Sequence, residues 1–195
     1  MPLSHYALDA FVSQELSKLT SCAPKSVASE FPEGSHWLNQ FVLRRIFRNH
    51  VADDRAALAF ALARRAEAAL DEWELACEAV GQGVQRPSAY FKALRHFETC
   101  LASLWQGLDL ERRALNTNLF SKGDGSVFER LNSLYNKGRH FDPQDLPAGD
   151  LHALWITNDG LRTREDAVTF EEMREALSLL GRTAQAIAGN APEAG

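Results

Sequence analysis

The segment Leu131-Asn132-Ser133-Leu134-Tyr135-Asn136-Lys137-Gly138-Arg139-His140-Phe141-Asp142 gathers the most chemically suggestive side chains of this sequence. Asn136 and His140 are four positions apart, which on a helix puts them on one face, one turn from each other. His140 falls where a helix must end, because Pro143 follows closely. The negative end of the helix dipole there favours the imidazolium form and brings its titration toward neutrality. An Asn one turn away orients the ring or a phosphate, and Lys137 and Arg139 add positive charge beside it. Together such groups hold a phosphodiester and move a proton. The competing reading is plain capping, since Lys, Arg and His are favoured at helix C-termini.

Other constellations carry less. Arg44, Arg45, Arg48, Arg55, Arg64 and Arg65 outnumber Asp53 and Asp54, and Arg44 and Arg48 share a helical face. They read as a phosphate or RNA track, or as a solvated face whose arginines pair with the acidic run Glu67, Asp71, Glu72, Glu74 and Glu78. Ser121-Lys122-Gly123-Asp124-Gly125-Ser126 precedes a helix start, where free N–H groups hold anions, but it lacks the Walker spacing. His96, in an apolar stripe, reads as a half-buried structural histidine, and Glu98 has no carboxylate partner at a di-metal spacing. Arg48-Asn49 starts an Arg-Asn pair, yet Asp53 stands where a histidine would be needed. Cys22, Cys77 and Cys100 form neither a CxxC pair nor a Cys/His ligand set, so neither a disulfide framework, a metal nor a cofactor is expected.

The elements that position these residues read as helices. Tyr90, Leu94, Phe97, Leu101, Leu104 and Leu108 alternate four- and three-residue steps, one stripe of a helix from about Ser88 to Leu115. Leu58, Leu62, Ala66, Ala69, Trp73, Ala76 and Val80 give an Ala-rich partner helix that stops at Gly81-Gln82-Gly83. Pro87 opens the next helix, so the two long helices are antiparallel neighbours. Capping boxes at Ser126/Glu129 and Thr169/Glu172 start two shorter helices. Further helices are expected around Tyr6–Leu19 and Trp37–Arg48, flanking a loop from Ser21 to Ser35. Pro143 and Pro147 interrupt Phe141–Ala148, and Leu154–Leu161, turning at Asn158-Asp159-Gly160, forms a small hairpin or tucked loop. Residues Ala188–Gly195 should fray. The expected fold is one all-α domain over 1–195, an antiparallel bundle of five to six helices. It divides into N-terminal helices (1–50), a core (51–140), an irregular insertion (141–168) and a last helix (169–188).

Composition agrees with this class. With 195 residues, 45% hydrophobic and 24% charged, the chain is long enough to bury a full core and is not a disordered polymer. A net charge of −5 argues against a general nucleic-acid coat while leaving room for a local basic site. No run approaches the length of a membrane span, Met1–Asp9 lacks the pattern of a signal peptide, and the cysteine usage suits a reduced, cytoplasmic setting. Phe60, Phe91 and Trp105 lie beyond a single apolar stripe, and so predict a homodimer or a protein partner.

Tyr90-Phe91-Lys92-Ala93-Leu94-Arg95-His96-Phe97-Glu98, continuing through Leu104 and Trp105, resembles the second long helix of HEPN-like domains. Tyr135-Asn136-Lys137-Gly138-Arg139-His140 resembles that family's Arg-Asn-three-residues-His signature, with Tyr135 in place of the arginine. The order of elements also agrees over about Val51 to Asp142. The resemblance implies a helical bundle, often dimeric, and a cytoplasmic role in prokaryotic RNA-targeting defence or a toxin–antitoxin pair. It also implies metal-independent endoribonuclease chemistry in which the RNA 2′-hydroxyl is the nucleophile. His140 would then transfer the proton, Asn136 would position it, and Lys137 or Arg139 would steady phosphate charge, with Arg44 and Arg48 along the RNA path. Tyr135 cannot supply the fixed positive charge of the missing arginine, so cleavage is expected to be weak or lost. The alternative is a non-enzymatic bundle that binds a partner protein.

Overall fold

A computed structural model of the protein describes residues 18–47, 54–84, 86–139, 146 and 152–189. In chain order, a one-turn 3-10 helix (Gly34–His36) leads into α1 (Trp37–Phe47), α2 (Asp54–Gly81), α3 (Pro87–Leu115) and α4 (Val127–Arg139). Three short strands follow, β1 (Trp155–Ile156), β2 (Gly160–Arg162) and β3 (Ala167–Thr169), and then α5 (Phe170–Gly189). The fold is mostly helical, as the periodicity predicts. The expected helix at Tyr6–Leu19 lies outside the described residues except for its last two. The Pro-containing segment Phe141–Ala148 is likewise outside them, apart from Leu146.

The long helices pack along their length, and their sequences explain how. α3 buries its whole stripe, Tyr90, Leu94, Phe97, Leu101, Leu104 and Leu108. α2 answers with small residues, Ala66, Ala69 and Ala76, which let the larger side chains of α3 seat against its backbone. Trp73 is the exception; its ring meets Phe97 edge-on at 5.7 Å and Phe170 of α5 at 6.2 Å. Gly83, at φ +97°, lets the chain leave α2, and Arg86 in an extended conformation delivers Pro87 to the first turn of α3.

α5 closes the bundle at two close approaches. A Cβ on Gly107 of α3 would lie 2.6 Å from a Leu180 methyl. A Cβ on Gly181 would lie 2.6 Å from the Phe31 ring. Both glycines let α5 sit nearer its neighbours than any side chain would permit.

The acidic run of α2 serves groups that sequence spacing did not suggest. Glu74 accepts the N–H groups of Val27 and Ala28 at 2.8 and 3.1 Å, and Glu67 accepts that of Leu38 at 2.7 Å, in the first turn of α1. Glu72 pairs with His96 at 2.6 Å. These carboxylates thus meet backbone amides and a histidine, where the sequence had offered arginines as partners.

The hairpin expected near Asn158 is present and extends to a third strand. The sheet is antiparallel in the order β1-β2-β3, with Ile156 opposite Leu161 and Leu161 opposite Val168. Trp155 is thus a strand residue, within the hairpin or tucked loop expected over Leu154–Leu161. Tyr90 of α3 receives the Ile156 N–H on its hydroxyl at 3.2 Å, fixing the sheet to the bundle. At the start of α5, Thr169 and Glu172 form a full capping box: the Glu172 N–H donates to Thr169 Oγ1 at 3.1 Å and the Thr169 N–H to Glu172 Oε2 at 2.9 Å.

Candidate functional site

α4 is short and amphipathic, burying Leu131 and Leu134 against the bundle. The guanidinium of Arg130 fixes one end. It forks onto Glu172 at 3.1 and 2.6 Å and reaches the Ala167 carbonyl at 2.6 Å. The other end of α4 faces the middle of α3 across a cleft of about 380 Å³. Leu101, Ala102 and Leu154 supply its apolar lining, and Glu98, Gln106, Tyr135 and Arg139 its polar groups.

Tyr135 organises one side of the cleft. Its hydroxyl oxygen accepts from Arg139 at 3.1 Å and from Gln106 at 3.3 Å. With both lone pairs taken, the phenol has only its own O–H left to offer, so it meets a ligand as a donor. Arg139 folds back over the Tyr135 ring, 5.9 Å from its centre, and the ring lies 6.4 Å from that of Trp105. A guanidinium from the next turn of α4 thus rests against the side chain of position 135.

Glu98 forms the opposite side, and beside it lies His152, a residue that no motif or spacing marks. His152 Nε2 lies 2.8 Å from Glu98 Oε1, but the ring N–H is not aligned with that oxygen, which is buried without a hydrogen bond. Glu98 and His152 are far apart in the chain, and no motif links them. No spacing signal would have found the pair.

The other candidate residues fall elsewhere. Asn136 is exposed and donates to Asn132 at 3.1 Å, on the flank of α4 beside the cleft. Lys137 is 3.4 Å from Glu165. Arg44 donates to the Ala188 carbonyl and so caps the last turn of α5. His140 and Arg48 lie outside the described residues. The Gly-rich loop before α4 is filled by its own carboxylates: Glu129 takes the N–H groups of Gly123 and Gly125, and Asp124 those of Ser121 and Ser126. Its amides are therefore satisfied from within, and the Ser126/Glu129 capping box is half made, with Ser126 Oγ accepting the Glu129 N–H at 3.2 Å.

His96 is buried against Glu72, a structural placement as expected. Burial pushes the thiols of Cys22 and Cys77 up to about 12 and that of the fully buried Cys100 higher still. Among the described residues, no group of three or more His, Cys, Asp and Glu side chains is placed to hold a metal ion, and no helix is long and apolar enough to cross a membrane. Comparison of this chain with family models, with curated proteins and with solved structures finds no match.

Proposed function

We propose that this chain is a HEPN-like helical protein that binds RNA at the α3–α4 cleft, in a cytoplasmic defence or toxin–antitoxin setting, with metal-independent cleavage weak or lost. One observation carries the reading: Arg139 stacks on Tyr135 and bonds its hydroxyl at 3.1 Å, returning a guanidinium to the place where the signature's arginine is absent. A guanidinium and a phenol O–H side by side are donors suited to a phosphate oxygen. The order of two long antiparallel helices followed by a short helix ending near His140 supports the same reading. Cleavage, where it occurs, uses His140 as the proton-transfer residue and Asn136 to position it. The weakness follows from geometry: Arg139 spends one N–H on Tyr135 and is exposed, so its charge is screened at the point where a phosphorane-like transition state needs it.

Incubation of a mixed-sequence RNA with purified protein in EDTA, alongside His140→Ala and Arg139→Ala, tests this. Binding with slow cleavage that His140→Ala abolishes, or binding alone that Arg139→Ala weakens, is the expected result. Absence of RNA binding by the wild-type chain refutes it.

A second reading, a protein-interaction module that works as a homodimer or with a partner, is favoured by a separate feature. Val42 and Leu43 of α1 and Phe60 of α2 are exposed, and Phe41 meets Phe60 at 6.2 Å. Light scattering decides between a dimer and a concentration-independent monomer.

A further inference from the structure

The cleft between α3 and α4 sorts its groups along its length. Glu98, Leu101, Ala102 and Gln106 line it in that order along α3, and the helical rise sets the first and last about 12 Å apart. Gln106 donates to the Tyr135 hydroxyl, which places Tyr135 at that end, and Arg139, one turn further along α4, donates to the same oxygen at 3.1 Å. The phenol is left with its O–H to give, and Arg139 with the N–H groups it does not spend on Tyr135. Glu98 stands at the other end, 2.8 Å from His152. The floor between is apolar, with Leu101 and Leu154 buried. A Cβ on Gly138 would meet nothing nearer than a Leu154 methyl at 3.9 Å, so the space over that floor is open.

These parts set the charge and shape of a guest. Two adjacent donors, one of them a guanidinium, match the two oxygens of a planar carboxylate. Among the described residues that line the cleft, Arg139 is the one cation, and Glu98 adds an acidic group at the far end. A single negative charge beside Arg139 is therefore balanced, while a second one near Glu98 is repelled. The buried leucines take a hydrocarbon body, and the volume falls among small-ligand sites of about 300–1,000 Å³. We infer that the cleft binds a small apolar monocarboxylate, with its head on Arg139 and Tyr135 and its hydrocarbon over Leu101, Ala102 and Leu154. This goes beyond the RNA reading and does not rest on it, since the acid needs no RNA to bind. The two ligands meet at Arg139: a seated acid takes the N–H groups that a phosphodiester would use, and so competes with RNA for the cleft.

Calorimetric titration of the full chain with octanoate, octanamide and octanedioate tests this. Octanoate should bind with a Kd of about 0.1–1 mM, the affinity open to a ligand of its size. Octanamide keeps the tail and loses the charge, and should bind about tenfold more weakly. Octanedioate carries a second carboxylate toward Glu98 and should also lose about tenfold, which Glu98→Gln should restore. Arg139→Ala should weaken octanoate about tenfold and leave octanamide unchanged. Gly138→Leu fills the cleft and suits a helix better than glycine does, so it should abolish binding without lowering the urea midpoint. Ala102→Leu fills the same space from α3 and serves as the second variant if the first is destabilised. No heat from octanoate at about 10 mM overturns the inference. So does octanamide or octanedioate binding as tightly as octanoate, or octanoate binding that survives the filling of the cleft. Octanoate that binds and displaces a mixed-sequence RNA supports this inference and the RNA reading together. Octanoate that binds a chain with no affinity for RNA supports the inference while the RNA reading fails, and RNA that binds where octanoate does not overturns the inference alone.

Discussion

Replacing Arg130 with alanine should loosen α4 without unfolding the bundle. The side chain is 27% exposed and its partner Glu172 25%, so the pair lies between the surface and buried extremes. Exposed pairs contribute about 0.2–1 kcal/mol, while stranding one partner of a buried pair costs about 3–5 kcal/mol. Here Glu172 is not stranded, because it keeps the Thr169 N–H and hydroxyl at 2.9 and 3.2 Å. The Ala167 carbonyl, in contrast, loses a donor at 2.6 Å. A loss of about 2 kcal/mol follows, which for a domain of this size lowers Tm by about 4–8 °C. Arg130→Lys keeps the charge and loses the fork, so it should fall between the two. The clamp also has a pH signature. The hydrogen bonds from Arg130 hold the Glu172 carboxyl below its ordinary value. Between the folded and unfolded values the unfolded chain binds more protons, so this stabilisation is complete above about pH 4.3 and is lost as pH falls through the depressed folded value. Urea denaturation at low salt, at neutral pH and through the acid range, measures both effects. The wild type and Arg130→Ala should differ most at pH 7, and the gap should narrow in acid to the share carried by the Ala167 carbonyl. A difference below about 0.5 kcal/mol at pH 7, or one that persists unchanged in acid, would refute the clamp.

Other outcomes follow from the same packing. Gly181→Ala should cost about 1–3 kcal/mol in urea denaturation, since a Cβ there lies 2.6 Å from the stiff Phe31 ring; a neutral result would show that the ring moves aside freely. Glu74→Ala strips the Val27 N–H of its acceptor, while the Ala28 N–H keeps Ser26 Oγ at 3.1 Å, and should lower stability by about 1–2 kcal/mol. With Cys22 and Cys77 held near 12 and Cys100 fully buried, the native thiols should resist alkylation at pH 7.5 and react promptly in urea; rapid labelling of the native chain would contradict the burial.

The helices were legible because their signals are local. The stripe from Tyr90 to Leu108 and the Thr169/Glu172 box each name their element within one or two turns, and both are seen in the structure. The third strand went unread because Ala167–Thr169 is only three residues long, too short for an alternation to show. The cleft was half legible. Tyr135 and Arg139 share a helical face by spacing alone, but the side chain of Glu98 gains its meaning only from His152 and α4, which tertiary packing brings to it. The Gly-rich loop, which lacks the Walker spacing, is a capped loop for a related reason. Its amides are where an anion would sit, and Glu129, counted as a capping residue, supplies that anion itself.

The two glycine notches that seat α5, Gly107 of α3 and its own Gly181, bear on how the cleft can change shape. A helix keyed at Gly107 against Leu180 and at Gly181 against Phe31 has neither rotation nor sliding open to it, since either would drive a side chain into backbone space. The α3 wall, backed by that helix, is thus a fixed datum for the site. α4 is anchored firmly at Arg130, a full two turns before Arg139, and holds the far end by lighter contacts. Any narrowing of the cleft around a guest is then a pivot of α4 about Arg130, with Tyr135 and Arg139 at the moving tip and Glu98 standing still, like one jaw of a caliper.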